Sequence, residues 1–232
     1  MTKKNFETFM YIGNEKILSC VFSKIDSKIL CKKESKFLEI NNHIDENKII
    51  NFLSENIFKL EKELNQFINN INLIIDINQF QSADVSIKHN IYGKLKQKDQ
   101  INILSDLKNY IRDNYINYSI VHYIINHYLF DNYVKKSFDF SNQCNHICLD
   151  ATFILLNKKH IFFYKKIFEK FQISVEKIIC GKYIFDIFDS NKINECEMGL
   201  KISSGFNSNE VFLIKKSIEK KGFFERFFHF FN

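Results

Sequence analysis

The run CNHIC at 144–148 holds the most suggestive cluster of reactive side chains in this sequence. On an extended strand Cys144, His146 and Cys148 project from one face, and two thiolates with an imidazole form a zinc-type donor set. A tetrahedral site needs a further ligand, and no second pair stands at a familiar spacing. The expected role is sheet packing, with no metal. His122 and His127 lie in the aromatic run YSIVHYIINHYLF, where packing or surface exposure is expected of both. Asp76 and Asp84 have the chemistry of an acid–base pair, but nothing in their spacing brings them together. The sequence has no G-x-S-x-G, no H-E-x-x-H, no Gly-rich phosphate loop and no dinucleotide fingerprint. Its six glycines leave little from which to build a loop that cradles phosphate. The expectation is a protein that is not an enzyme, with no catalytic, cofactor-binding or metal-ligating residue and no cofactor.

A second feature is physical and not catalytic. The stretch KKGFFERFFHFFN carries six phenylalanines at 220–232. At the helical step of about 100° per residue, Phe223, Phe224, Phe227, Phe228, Phe230 and Phe231 share an arc of about 160°. Gly222, Glu225, Arg226 and His229 take the other side. A helix of this length is about 18 Å long, against about 30 Å of bilayer hydrocarbon, so it cannot span. It can lie flat in the interface, with Lys220, Lys221 and Arg226 meeting anionic headgroups. Each buried Phe is worth about 1.5–3 kcal/mol and each nearby cation about 1 kcal/mol. A terminal helix docked on the protein's own core or on a partner is the competing reading.

Composition bounds what else the chain can do. The 232 residues are enough for one large domain or two small ones, and 45% apolar with 26% charged residues is ordinary globular usage. There is no Pro and no Trp, and Lys, Asn, Ile and Phe are in excess. Those four are favoured by A/T-rich codons, so a net charge of +6 spread along the chain is weak grounds for nucleic-acid binding, and none is expected. The six cysteines form no dense disulfide framework. The opening MTKKNFETFMYIG is basic without a sustained apolar core, so no signal peptide is expected, nor any spanning helix.

The elements that must position these residues follow from periodicity. ETFMYIG, KILSCVFSK and SKILCKKE read as an antiparallel meander. Ile49, Leu53, Ile57, Leu60, Leu64 and Phe67 recur at helical steps after a cap at Asp45, and INLIIDI at 71–77 reads as a buried strand. DVSIKHN is then a strand, QINILSDLKNYIRDNY a helix, and YSIVHYIINHYLF and HICLDATFILL two more strands. NKKHIFFYKKIFEKFQ is a helix capped by Asn157, and SVEKIIC (174–180) a strand. From Asp186 to about Asn209 the chain is polar and is expected to be irregular or linker-like.

This order of elements resembles the first half of the bacterial cell-division protein FtsA, an actin-like family with an inserted interaction subdomain. YIGNEKI resembles the family's first phosphate-loop strand, and HIDENKIINFLSENIFKLEKEL its long helix. IVHYIINHYLFDN, through His122, Tyr128 and Asp131, resembles a strand of the family. LLNKKHIFFYKKIFEKFQISVEKII resembles its helix and following strand, with QISV at the turn, and GFFERFFHFF resembles its membrane-targeting sequence. The resemblance covers most of 6–180 and the last dozen residues. It implies an α+β fold: a partial actin-like (ribonuclease H-like) subdomain at 1–83 and 157–206 and an inserted strand–helix–strand–strand subdomain at 84–156. A basic tether and amphipathic membrane helix would follow at 207–232.

The departures are chemical. Tyr11 stands where the family has an acidic residue, and Asn14 and Glu15 replace its small hydroxyl residues. CEMGLKISS is similar to the family's final core helix, but the Gly-rich second phosphate loop does not follow the strand that ends at 180. The resemblance therefore implies a scaffold on the cytoplasmic face of the membrane, peripheral and without ATP binding. Its expected partners are the anionic lipid surface, FtsZ or other division proteins, and possible further copies of itself. The alternatives are a related actin-like scaffold of an envelope or pilus machine, and a diverged nucleotide-binding ATPase.

Overall fold

The computed structural model describes residues 5–37, 45–91, 93–131, 133–141 and 143–211. The chain opens with three antiparallel strands, β1 (Phe6–Gly13), β2 (Lys16–Ser23) and β3 (Ile29–Lys36). Helix α1 (Glu46–Leu64) carries the chain across to β4 (Asn70–Asp76), which pairs in parallel with β1. The Asp45 carboxylate accepts from the Asn47 amide and caps the helix start, and Asn65 ends it in the left-handed region. The last strand of this sheet comes much later: β9 (Ser174–Cys180) runs parallel to β4. The order is β3-β2-β1-β4-β9, three antiparallel strands followed by two parallel ones. That is the ribonuclease H-like order of an actin-like subdomain.

β1 and β2 are buried along almost their whole length because both faces are covered. Met10, Ile12, Ile17, Val21, Leu73 and Ile75 face α1 and α3 (Lys158–Glu169). Phe9, Tyr11, Leu18, Cys20 and Ile74 face α4 (Gly181–Ile187) and α5 (Glu195–Ser203) on the other side. Asn157 caps α3 by accepting from the Lys159 amide.

Between β4 and α3 the chain builds a second sheet. β5 (Phe80–Asn90), α2 (Gln97–Asn114), β6 (Tyr118–Phe130), β7 (Tyr133–Lys135) and β8 (His146–Asn157) follow in sequence, and the strands are ordered β5-β8-β6-β7, all antiparallel. The first strand begins at Phe80 and not at Asp84. Ile103, Leu107 and Ile111 of α2 cover one face, against Tyr123, Leu149, Ala151 and Phe153. The other face is polar and pairs its own groups across strands. The Asp150 carboxylate receives the Ser86 hydroxyl and sits 2.6 Å from His127 Nε2. Thr152 donates to Asp84 at 2.5 Å and accepts from Asn126 at 3.0 Å.

Two expectations are corrected here. The stretch read as linker from Asp186 to Asn209 contains α5, whose Cys196, Met198 and Ile202 are fully buried. Gly199 in this helix serves close approach: a β-carbon would run into Ile74, with Phe9 3.3 Å away. The tether expected from residue 207 also starts as packed structure. Ile125 donates to the Asn209 carbonyl and Val211 to that of Tyr123, both at 2.8 Å, so 209–211 lies along the edge of β6.

Candidate functional site

Two polar clusters stand out. The first is a cleft of about 490 Å³ at the carboxyl ends of β1 and β4. The parallel register sets Gly13 beside Asp76, and Tyr11 two residues back shares their face. The Tyr11 hydroxyl donates to Asp76 Oδ2 at 2.8 Å. Its ring folds back over the β1–β2 turn so closely that a β-carbon at Gly13 would strike the phenol oxygen. Phe185 of α4 packs edge-on against the same ring.

The electrostatics of this cleft disfavour a polyanion. Three carboxylates, Glu15, Asp76 and Glu195, line it with two lysines, Lys16 and Lys36. Lys16 is committed to Glu195 at 2.8 Å. Burial holds the Asp76 carboxyl above its ordinary range; the Tyr11 hydrogen bond opposes the shift and the Glu195 charge adds to it. Burial, then the Asp76 charge, push the Tyr11 phenol far up. The start of α5, a natural place for an anion, is closed by a capping box in which Asn194 and Glu197 satisfy one another's backbone. Asn14 Oδ1 and Glu195 Oε2 have no protein partner among the described residues.

The second cluster is buried where the two sheets meet. His122, on β6, accepts the Cys180 amide at Nε2 (3.0 Å), so the proton facing Glu210 sits on Nδ1, 2.7 Å from Oε1. Tyr183 of α4 donates to the other Glu210 oxygen at 2.9 Å and accepts from Asn207 at 2.8 Å. The imidazole and phenol rings lie 4.3 Å apart. Burial raises the Tyr183 phenol and carries the Cys180 thiol up to about 11. Lys177 of β9 is pulled down by burial, while the Glu210 charge works against that shift. The cluster ties three parts of the chain together: the inserted sheet, the end of the actin-like sheet, and the segment that leads into the tail.

The other sequence candidates separate. Cys144 lies ahead of β8, in the core under α2, so it does not alternate with His146 and Cys148 along a strand. His146 Nδ1 sits 3.0 Å from Asp131, whose carboxyl is held low by the Asn145 and His146 amides. Among the described residues no three potential ligands gather around a metal-sized space. Asp76 and Asp84 stand on different sheets. Phe223, Phe224, Phe227, Phe228, Phe230 and Phe231, with Lys220, Lys221 and Arg226, lie outside the described residues. Sequence reasoning placed His122 in packing or at the surface and missed Glu210. A lone carboxylate beside Val211 and Phe212 in a Ser/Asn-rich run was the available signal.

No protein-family model matches the chain, and no curated protein matches its sequence. Solved structures do. A chain of a PilM–PilN type IV pilus biogenesis complex aligns over 77% of this chain and 48% of its own length, at 6% identity with a TM-score of 0.50. The cytoplasmic domain of EpsL, an inner-membrane component of the type II secretion system of Vibrio cholerae, aligns over 77% and 58%, at 7% identity and a TM-score of 0.39. A Bacteroides thetaiotaomicron protein of actin-like ATPase fold and unknown function aligns over 78% and 54%, at 12% identity and a TM-score of 0.30. The chain thus spans about half the length of the chains it matches. At such identity the likeness is one of fold, and it agrees with the strand order: the chain has an actin-like α+β fold with an inserted sheet. Among the described residues no helix is long and apolar enough to cross a membrane.

Proposed function

We propose that this chain is an actin-like scaffold of a membrane-bound envelope machine of the pilus or secretion kind, working without nucleotide chemistry. The observation that carries the reading is Tyr11: its ring fills the turn where an actin-like subdomain would receive phosphate, and its hydroxyl is spent on Asp76. The fold shared with a chain of a pilus biogenesis complex supports the choice of machine. The aromatic stripe at 223–231 supplies the attachment to the cytoplasmic leaflet, and the inserted sheet offers the surface for protein partners. Titration calorimetry with ATP and magnesium tests the first half. No heat of binding is expected, and a fitted affinity overturns it. Removal of residues 221–232 tests the second half: the chain should leave the membrane fraction, and an unchanged fraction rules the anchor out.

An FtsA-like division scaffold is the second reading, favoured by the aromatic stripe, which resembles that family's membrane-targeting sequence in place and character. Its partner would be FtsZ or another division protein. Co-purification from native lipid with the tail intact separates the two machines.

A further inference from the structure

Sheets end in edges, and the edges of this chain are not alike. On the first sheet, β3 carries Lys32, Lys33 and Lys36 and shifts register between Cys31 and Ile29, opposite Val21/Phe22, and β9 has His122 and the rest of the junction beside it. On the second sheet, β7 is only three residues long. These are the usual ways of blunting an edge. β5 is neither short nor bulged, and the charges that it carries, Asp84 and Lys88, are of opposite sign. It is eleven residues long, pairs with β8 from Phe80 to Asn90 without a register shift, and contains no proline.

The hydrogen-bond parity of β5 can be read directly. Ile91 donates to Asn145, which continues the β5–β8 register. Odd-numbered residues of β5 therefore turn their backbone groups toward β8. The amides and carbonyls of Ser82, Asp84, Ser86, Lys88 and Asn90 point out of the sheet. Among the described residues none of them is met by another strand. The side chains of the same five residues lie on the polar face and are exposed.

We propose that two copies of this chain join edge to edge through β5, antiparallel about Ser86, to form one continuous sheet. The register follows from charge. An antiparallel self-pairing that uses the outward groups can centre on any residue near the middle of the strand. Centring on Asp84 or Lys88 sets like charges face to face. Centring on Ser86 sets Asp84 of each copy opposite Lys88 of the other, twice by symmetry. The same register opposes Val85 to Ile87 on the face beneath, where both already pack against the α2 core. Lys88 makes no ion pair within 4 Å among the described residues, its charge acting weakly on Asp131, and Asp84 holds the Thr152 hydroxyl. The pairing belongs to the folded chain itself, goes beyond the scaffold reading, and stands if the membrane reading fails.

Sedimentation velocity on the full chain tests it. The expected mass is that of two chains. Lys88→Asp should give one chain, and Asp84→Lys combined with Lys88→Asp should restore two, since the swap rebuilds both pairs. Ser86→Pro removes an amide that points away from β8, so it should leave the circular dichroism spectrum in place and abolish the dimer. A monomeric parent, a Lys88→Asp dimer, or a charge-swapped double variant that stays monomeric each overturns the proposal.

Discussion

The two polar clusters of this molecule use similar groups to opposite ends. At the sheet junction, His122 and Glu210 are almost wholly buried, and the ring nitrogens and carboxylate oxygens that face the protein all have partners. In the cleft, Tyr11 and Asp76 are bonded to each other, but Glu195 and Asn14 keep acceptors without a protein partner, and the space beside them is open. A buried polar atom without a partner costs free energy, so the junction is fully satisfied while the cleft keeps two buried acceptors unmet. The junction therefore reads as a fastener that ties Glu210 to both sheets. The cleft reads as a pocket partly filled by the Tyr11 ring.

Substitutions can break this contrast in order of size. His122→Ala leaves the Glu210 carboxylate buried with one donor fewer and frees the Cys180 amide. It should cost about 3–5 kcal/mol in chemical denaturation, with loss of the Tyr183 environment visible in near-ultraviolet circular dichroism. Gly181→Ala attacks the floor of the cleft: the added carbon would land 2.7 Å from the Asp76 α-carbon, a backbone atom that cannot swing away. A cost of about 1–3 kcal/mol is expected. Tyr11→Phe removes one hydrogen bond at the half-open site and should cost only about 1 kcal/mol. A loss as large as that of His122→Ala would erase the distinction between the clusters.

The smallest effect is the one on pH. Burial raises the folded-state pKa of Asp76, so its contribution is intact below the unfolded pKa and is lost as pH rises through the folded value. Asp76→Asn keeps an acceptor for Tyr11 and cannot ionise. Its stability relative to the parent should therefore improve as pH rises from the acid range to neutrality, by at most about 1 kcal/mol given the solvent screening of a half-open group. Paired thermal melts at pH 4 and pH 7 check this. An advantage that grows toward acid would reverse the assigned sign.

How much was legible differs between the same two regions. The cleft's departure could be read in advance, because Tyr11, Asn14 and Glu15 follow an alternating apolar strand whose end is plain from pattern. The caps at Asp45 and Asn157 and the helical faces after them were equally plain, since each is a local rule within a few residues of chain. Glu210 was not legible. It lies in a polar run with no period, and its partner is 88 residues away. The same lack of period kept α5 out of the pattern reading, and CEMGLKISS was marked as helix only through the family resemblance; Gly199 within it is a contact point in space.

Sequence alone determined eight of the nine described strands, the three amphipathic helices α1, α2 and α3, and the residues Tyr11, Asn14 and Glu15 at the first turn, because these depend on neighbours within a turn of helix or a strand's alternation. Only tertiary structure decided that 209–211 is stitched to β6, that His122 faces Glu210, and that β5 keeps an open edge. Those depend on which distant segments exclude water together, and burial of that kind leaves no local pattern in the chain.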